Sequence, residues 1–307
     1  METGMIPYFC FENFSQYPAI SHGFSTRIGG MSTGCYAQMN LGMQRGDLAE
    51  NVRENFAIFC GMLGVSPENM VFSRQIHQDH VAVVTAQDRG NGFLRDNKFD
   101  LTCGADALIT NCEEVVLTLF FADCVPIFLF DPIQNAIGLV HSGWRGTVSQ
   151  IAAKTVNAME KAFQSNPADI LAGIGPSIGP CCFETKNDVY EAVTAMSSDD
   201  AYLAYVECLS DAEQMISETK MQNRQQKEEQ MQESEKKYKI DLWGINKRVL
   251  QSAGVLEQHI CTAGICTACD PERYFSHRKL GAKRGNLAAI IQLNKRRSSR
   301  KQITDVL

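Results

Sequence analysis

Apolar residues in this chain form short continuous runs that predict buried strands separated by polar turns. In the densest region, residues 115–146, two apolar runs flank the polar step Ala122-Asp123-Cys124, and a third run, AIGLVH, ends on His141. Continuous runs of this length are typical of strands buried on both faces. Because a polar step inside such a run is costly unless its groups are used, we expect Asp123 and Cys124 to border a functional site. His141 is expected to reach that site from a neighbouring strand.

Outside this region, the spacing of apolar residues predicts alternating helices and strands. Apolar positions that recur every three or four residues indicate three helices, each with a cap or stop signal. We expect them between Asp47 and Gly64, with Glu50 completing a capping box; at residues 147–164; and from the cap Asp241 through Val249 to Gly254. Short apolar runs predict strands at 70–84 (strand, turn, strand), 107–109, 171–174, 259–265 and 287–293.

The length and composition are those of a soluble globular protein with one large or two small domains. The chain has 307 residues, of which 44% are hydrophobic and 21% charged, which is enough apolar material for a substantial core. We assign residues 1–295 to a single domain with a polar insertion at about 212–237, where Glu, Gln and Lys dominate, and residues 296–307 to a basic tail. No apolar run approaches the length of a membrane span.

The net charge and the cysteine content restrict the classes of binding partner and the cellular compartment that we expect. The net charge of −6 gives no basic surface for nucleic acid or an anionic membrane. Twelve cysteines without a secretory signal favour thiols in a reducing compartment, so we expect a cytoplasmic protein. The vicinal pair Cys181-Cys182 and the motif from Cys266 to Cys269 are expected to be packing thiols, because a lone C-x-x-C lacks the second pair of a structural zinc site.

Two histidines and one cysteine suggest a metal site. If His77, Cys124 and His141 converge, they supply three of the ligands that zinc prefers and leave a fourth position open, as in catalytic zinc sites. His80 and Asp123 are then candidates for a general base or for holding a ligand in place. The same trio suits copper, but six histidines and no H-x-H pair exclude a multicopper oxidase, so copper is the weaker choice.

A second interpretation uses the same cysteine differently. Cys124 could act as a nucleophile with His141 as its base, which would make the protein a cysteine hydrolase. A zinc-bound thiolate is a poor nucleophile, so the two interpretations compete for one residue. The sequence leaves both open.

Seven motifs, in order, resemble those of the YfiH or laccase-domain-containing family, formerly called polyphenol oxidase. They are QIHQDHV, ADALIT, FADCVPIFLFDP, IGLVHSGWRGT, GIGPSIGPCCFE, DLWGINKR and CTACDPERYFSHR, and the resemblance covers about residues 9–293. It implies a single α/β (α+β) domain of mixed β-sheets flanked by helices, in a cysteine-hydrolase-like layered architecture. It also implies metal ligands at His77, Cys124 and His141.

The function implied by the resemblance is that of a zinc-dependent purine nucleoside phosphorylase that acts on adenosine, inosine or methylthioadenosine. Its partners would be a small nucleoside and phosphate, and the protein would be a monomer or homodimer. The loop arginine Arg27, the N-L-G asparagine Asn40 and the G-W-R-G arginine Arg145 are the expected substrate and phosphate contacts. The alternative is a cysteine- or metal-dependent amide hydrolase acting on a small metabolite or cell-wall precursor.

The family is also associated with adenosine deamination, which needs a proton carrier beside the metal. Asp123, next to Cys124, is the first candidate for that carboxylate, and His80 is the second. Adjacent strand residues point to opposite faces, so Asp123 and Cys124 can share one site only if the backbone is irregular there.

Overall fold

A computed structural model of the protein describes residues 7–95, 104–196, 201–209 and 236–296. Within these residues the helices are α1 Glu12–Ser15, α2 Ala49–Leu63, α3 Trp144–Val148, α4 Ile151–Phe163, α5 Asn187–Thr194, α6 Leu242–Ser252 and α7 His277–Leu280. The strands are β1 Tyr8–Phe9, β2 Ile20–Ser25, β3 Met70–Phe72, β4 Val81–Val83, β5 Ala107–Thr110, β6 Val116–Phe121, β7 Val125–Asp131, β8 Ala136–Ser142, β9 Leu171–Ile174, β10 Glu184–Thr185, β11 Val206–Cys208, β12 Tyr238–Ile240, β13 Ile260–Thr262 and β14 Leu287–Leu293.

The described strands form three sheets. A five-stranded sheet has the order β1-β2-β14-β6-β3, and a six-stranded sheet has the order β13-β9-β7-β8-β5-β4. A small antiparallel sheet has the order β10-β12-β11. In the two large sheets most pairs are antiparallel, while β3–β6, β4–β5 and β9–β13 are parallel. The fold is therefore mixed α/β, as the resemblance implied.

The two large sheets pack face to face and each is covered by helices on its outer side. Leu117 and Leu119 of β6 share the inter-sheet core with Phe128 of β7. Val116, on the opposite face of β6, packs against α2, while Leu129 of β7 packs in the cluster formed with α4 and α6. Both faces of each central strand are buried, which explains why β6, β7 and β8 are continuous apolar runs instead of alternating ones.

The apolar runs around residues 122–124 form the strands that the pattern predicted. The link between β6 and β7 carries the chain from the five-stranded to the six-stranded sheet, and His141 of β8 pairs with Pro126 of β7. The strands expected at 107–109, 171–174 and 287–293 are also confirmed. The strand expected at 259–265 is shorter, Ile260–Thr262. The predicted pair at 70–84 forms two strands, but they lie in different sheets.

Helix boundaries differ from expectation where the backbone turns left-handed. The single helix predicted at 147–164 is two helices, α3 and α4, separated at Gln150, whose φ is 57°. The capping box predicted for α2 is wrong. Leu48 is the N-cap, and the Asp47 carboxylate instead accepts hydrogen bonds from the Leu48 amide and the Asn40 side chain. Asp241 does cap α6, accepting from the amides of Trp243 and Gly244.

The predicted polar insertion at 212–237 and the basic tail at 296–307 lie outside the described residues, apart from Lys236, Lys237 and Arg296. Among the described helices, none has the length and apolar character that a bilayer crossing requires.

Candidate active site

His77, Cys124 and His141 converge at the edge where the chain passes between the two large sheets. His77 lies in the loop after β3 with φ of 58°, Cys124 ends the link between β6 and β7, and His141 is near the end of β8. One ligand atom from each lies within 4.8 Å of the others. The two imidazole rings are perpendicular, with centroids 4.8 Å apart. The trio therefore forms a candidate metal centre.

A fully buried carboxylate, Asp106, holds this centre together. Its Oδ1 accepts a hydrogen bond from His141 Nδ1 at 2.8 Å and from the His77 amide at 3.0 Å. Its Oδ2 accepts from the amides of Ile76 and Gln78 at 3.1 and 2.9 Å. With Nδ1 engaged in this way, His141 presents Nε2 to the centre.

The ionisable side chains of this cluster change one another's pKa values. Burial by itself raises the pKa of Asp106, but the hydrogen bond and charge of His141 outweigh it and lower that pKa. Burial likewise opposes ionisation of Cys124, yet His141 and His77 lower the pKa of its thiol to about 6. Burial tends to lower the pKa of His141, but the Cys124 thiolate and Asp106 raise it to about 9. The two histidines thus favour the thiolate form of Cys124, the form that binds metal and attacks electrophiles.

Gly143 leaves the space that a metal ion would need. An added Cβ at this position would lie 3.2 Å from Cys124 Sγ and 3.5 Å from His77 Cδ2. Two imidazoles and a thiolate, oriented by a buried carboxylate and facing a glycine, fit a divalent metal ion of the zinc type.

Two cavities of different character meet at the trio. The larger, about 790 Å³, is lined by four arginines, Arg45, Arg74, Arg95 and Arg284, together with polar groups and the rings of Phe72, Phe120 and Phe121. The smaller, about 310 Å³, has an apolar and aromatic wall of Trp144, Ile178, Phe183 and Leu242, and it is also lined by Asp123, His277, Arg278 and Arg284. His77, Cys124 and Arg284 line both cavities.

Comparison with known proteins identifies the family. A family model described as "multi-copper polyphenol oxidoreductase laccase" matches residues 21–294. The chain belongs to this family. It is 33% identical over 288 residues to "Purine nucleoside phosphorylase" of Bacteroides thetaiotaomicron, covering 93% of this chain and 96% of that one. It is 31% identical over 264 residues to "Adenosine deaminase RL5" of an unknown prokaryotic organism, covering 85% and 90%.

The fold also matches a solved structure of the family. The crystal structure of the hypothetical protein YfiH of Bacillus licheniformis superposes with a TM-score of 0.79 at 28% sequence identity, covering 95% of this chain and 98% of that chain. The two names borne by the relatives are names of enzymes that act on purine nucleosides. The layered fold expected from the resemblance is thereby confirmed.

The three residues expected to contact phosphate or substrate each have partners within the protein. The Arg27 guanidinium donates to the carbonyls of Ala37 and Pro271 and lies over the Phe275 ring. Arg145 is exposed and lies against the indole of Trp144, 4.2 Å from its centroid. Neither arginine lines the two cavities.

Asn40 is fully buried, and its side-chain amide forms hydrogen bonds with neighbouring loops. Its Oδ1 accepts from the amides of Gly42 and Asn286, and its Nδ2 donates to Asp47. Since Gly42 and Asn286 line the larger cavity, Asn40 shapes the wall of that cavity from behind.

The two predicted proton carriers, Asp123 and His80, lie in different surroundings. Asp123 lines the smaller cavity, with φ of 89°, but its carboxylate accepts bonds from the Thr267 hydroxyl and the Arg278 amide, both at 2.7 Å. His80 is exposed, and its Nδ1 bonds to the Gly104 carbonyl instead of to the trio.

Sequence reasoning missed Asp106 and Arg284. Asp106 is the second residue of the mostly apolar run ADALIT, where a buried acid is unusual and signals a bound partner. Arg284 is 8% exposed, and its Nη1 donates to the Gly285 carbonyl and the Asn286 side chain. Its buried Nε has no hydrogen-bond partner among the described residues. Burial, with Arg45 nearby, lowers the pKa of Arg284 to about 10 despite the opposing charges of Asp123 and Cys124.

Proposed function

We propose that this protein is a zinc-dependent purine nucleoside phosphorylase acting on adenosine, inosine or methylthioadenosine. The observation that carries the proposal is that a cavity with four arginines in its wall meets, at His77 and Cys124, a smaller cavity whose wall includes Trp144 and Phe183. Reaction between phosphate and a purine nucleoside requires both surroundings at one place. The names of the relatives support the same substrate class.

Zinc is the metal that this donor set favours. Nitrogen and sulfur ligands suit zinc, and a site with three protein ligands keeps a position for water or substrate. A zinc ion held there would supply a Lewis acid at the junction of the cavities. Copper is the weaker candidate, because laccase chemistry needs several coppers and the whole chain has six histidines. The cysteine-rich composition favours work in the reducing cytoplasm.

Arg284 is the residue we assign to phosphate. Its guanidinium lines both cavities, and a guanidinium can donate hydrogen bonds to an oxyanion, a contact that is strong in a buried site. In phosphorolysis a phosphate oxygen bonds to C1′ of the ribose while the C1′–N9 bond breaks and its electron pair leaves with the purine. An anion held beside the ribose stabilises the positive charge that develops at C1′.

The smaller cavity suits the purine. Trp144 and Phe183 offer aromatic surfaces, with Ile178 and Leu242 beside them. The leaving base must take up a proton, and His277 in the same wall is a titratable side chain whose ring has no hydrogen bond to any described residue. We therefore assign His277 as the residue whose imidazole donates a proton to the leaving purine.

The proposal is tested with variants of Arg284. Arg284→Gln should raise the KM for phosphate by roughly tenfold or more, since a hydrogen bond to a charged group contributes about 1.5–3 kcal/mol. Arg284→Lys should retain more activity than Arg284→Gln because it keeps the charge. Arg248→Gln, at an exposed arginine of α6 that lines neither cavity, is the matched control and should leave that KM unchanged. An unchanged KM in Arg284→Gln would remove Arg284 from the phosphate site.

Adenosine deamination is a second candidate activity, favoured by the relative named adenosine deaminase. Deamination adds water at C6 of adenine and releases ammonia, so it needs a proton carrier in the purine cavity. Both Asp123 oxygens already accept hydrogen bonds, which favours a positioning role for Asp123. We expect His277→Gln to lose ammonia release with its metal content intact. If Asp123→Asn shows that loss and His277→Gln does not, the carrier is Asp123.

The lowered pKa of Cys124 favours one alternative, an amide hydrolase with Cys124 as the nucleophile. Chelation separates the two chemistries. We expect activity to disappear when the metal is removed and to return with added zinc. Activity that survives chelation but is abolished by a thiol reagent on Cys124 would favour the hydrolase.

A further inference from the structure

Two cysteine pairs that are far apart in the sequence meet beside the smaller cavity. Cys181 and Cys182 follow β9, and Cys266 and Cys269 follow β13, which is the parallel neighbour of β9. The pairing of these strands continues as a bridge between Ser177 and Cys266. The sheet therefore delivers both cysteine pairs to the same edge, and it supplies the second pair that the C-x-x-C motif lacks in sequence.

The geometry of the four sulfurs is that of a metal site. All four Sγ atoms lie within 4.8 Å of one another. Cys269 Sγ is 3.5 Å from Cys181 Sγ and 3.4 Å from Cys182 Sγ. A tetrahedral zinc ion at about 2.3 Å from each sulfur requires sulfurs about 3.8 Å apart, whereas a disulfide requires about 2.05 Å. The separations fit a shared metal ion and exceed a covalent bond.

Groups around the four cysteines favour negatively charged thiolates. The Gly179 amide donates to Cys266 Sγ at 3.2 Å, the kind of bond that stabilises a metal-bound thiolate. An added Cβ on Gly179 would lie 2.8 Å from the Trp243 ring and 3.3 Å from Cys266 Cβ, so a glycine is needed for this approach. The Arg278 guanidinium, bonded to the Cys182 carbonyl at 3.0 Å, places a positive charge beside a cluster that would be anionic when loaded.

We propose that Cys181, Cys182, Cys266 and Cys269 bind a structural zinc ion through four thiolates, separate from the centre at His77, Cys124 and His141. Four protein sulfurs close the coordination shell and leave no position for substrate, which is the pattern of structural zinc sites.

The position of this cluster gives it a consequence for the active site. Thr267, between the two cysteines of the C-x-x-C motif, donates its hydroxyl to Asp123 Oδ1, and the Arg278 amide donates to Asp123 Oδ2. Asp123 in turn lines the smaller cavity. A metal ion that joins residues 181–182 to residues 266–269 thus fixes one wall of the proposed purine pocket.

The first test is the metal content of protein purified without oxygen from zinc-supplemented cells. We expect about two zinc ions per chain, falling to about one in the double variant Cys181→Ser/Cys269→Ser and, separately, to about one in Cys124→Ser. Cys10→Ser, an exposed cysteine outside both clusters, is the matched control and should keep the full content. A double variant that retains all the zinc of the wild type overturns the proposal, as does iron or copper in place of zinc.

A second test does not depend on the folding of the double variant. In Cys124→Ser, cobalt substitution should give the intense thiolate-to-cobalt charge-transfer absorption of a four-sulfur site, and zinc X-ray absorption should show a sulfur-rich shell. A cobalt spectrum without charge-transfer bands contradicts the proposal. So does a disulfide between the two pairs, found by mass spectrometry of the anaerobically purified wild type.

Discussion

At the scale of single residues, one carboxylate organises two of the three metal-ligand candidates. Asp106 binds the Nδ1 of His141 and the backbone on both sides of His77, and it does so from a fully buried position. A carboxylate in this place fixes which imidazole nitrogen faces the metal and makes that nitrogen a better donor.

We therefore expect Asp106→Asn to weaken zinc binding by roughly 10–100-fold, the usual cost of losing such a partner. The asparagine NH2 group would face amides that now donate to a carboxylate oxygen, so the loop that carries His77 should also loosen. Competition with a chromophoric chelator measures the zinc affinity. Asp79→Asn is the control, because Asp79 lies on the same loop but pairs with Lys154 at the surface. An affinity equal to that of wild type would show that Asp106 does not orient the ligands.

His22 gives a prediction for stability against pH. Burial lowers the pKa of His22 to about 4, and its Nε2 accepts the Phe11 amide, so the folded protein holds the imidazole neutral. Between the unfolded value of 6.5 and about 4, the unfolded chain binds the proton more readily than the folded one. His22 should therefore cost up to about 3 kcal/mol of unfolding free energy as the pH falls through this window, at about 1.4 kcal/mol per pKa unit.

Urea unfolding of wild type and His22→Gln from pH 7 to pH 4 checks this expectation. The variant should lose less stability than wild type across that interval, because glutamine does not titrate but can still accept the Phe11 amide. Parallel stability curves for the two proteins would contradict the assignment.

At the scale of elements, the sequence predicts the strands well and the loops poorly, for a physical reason. Within residues 115–146 the local sequence pattern is sufficient. The apolar runs predict β6, β7 and β8, and the polar step between the first two runs indicates Cys124 as a site residue. Arg284 and Asp106 act through partners distant in sequence, such as Cys124 and His141, and no local pattern shows those contacts. The hydrogen bond from the Arg27 guanidinium to the Pro271 carbonyl also joins residues far apart in sequence, and no local pattern shows it.

The turn between β8 and α3 offers a prediction at this scale. In Gly143→Ala the backbone is unstrained, with φ of −68°, but the new methyl group would contact Cys124 Sγ and His77. Crowding of this kind costs about 1–3 kcal/mol, so zinc affinity should fall about 10–100-fold while the fold persists. Metal content and circular dichroism measured together separate the two effects.

Gly61→Ala is the matched control for that variant. Gly61 lies in α2, where an added Cβ meets nothing within 4 Å, and alanine should stabilise the helix by about 0.5–1 kcal/mol without changing the metal content. Full metal affinity in Gly143→Ala would show that the space beside Cys124 is not needed by the ion.

At the scale of the whole molecule, the active site is a product of the two-sheet architecture. The β6–β7 link crosses between the sheets, His141 comes from the six-stranded sheet, and Arg284 precedes β14 of the five-stranded sheet. Of the two cavities that meet there, the larger has four arginines in its wall, and the smaller has Trp144 and Phe183 beside Ile178 and Leu242. This arrangement supports the central claim, that phosphate and a purine nucleoside meet at the metal centre.

The most direct measurement of that claim is the sugar product formed from inosine by the zinc-loaded protein, with and without phosphate. We expect hypoxanthine and ribose 1-phosphate in equal amounts when phosphate is present, and almost no hypoxanthine when it is absent. Hypoxanthine released at the same rate in both conditions, with free ribose as the sugar product, would contradict phosphorolysis.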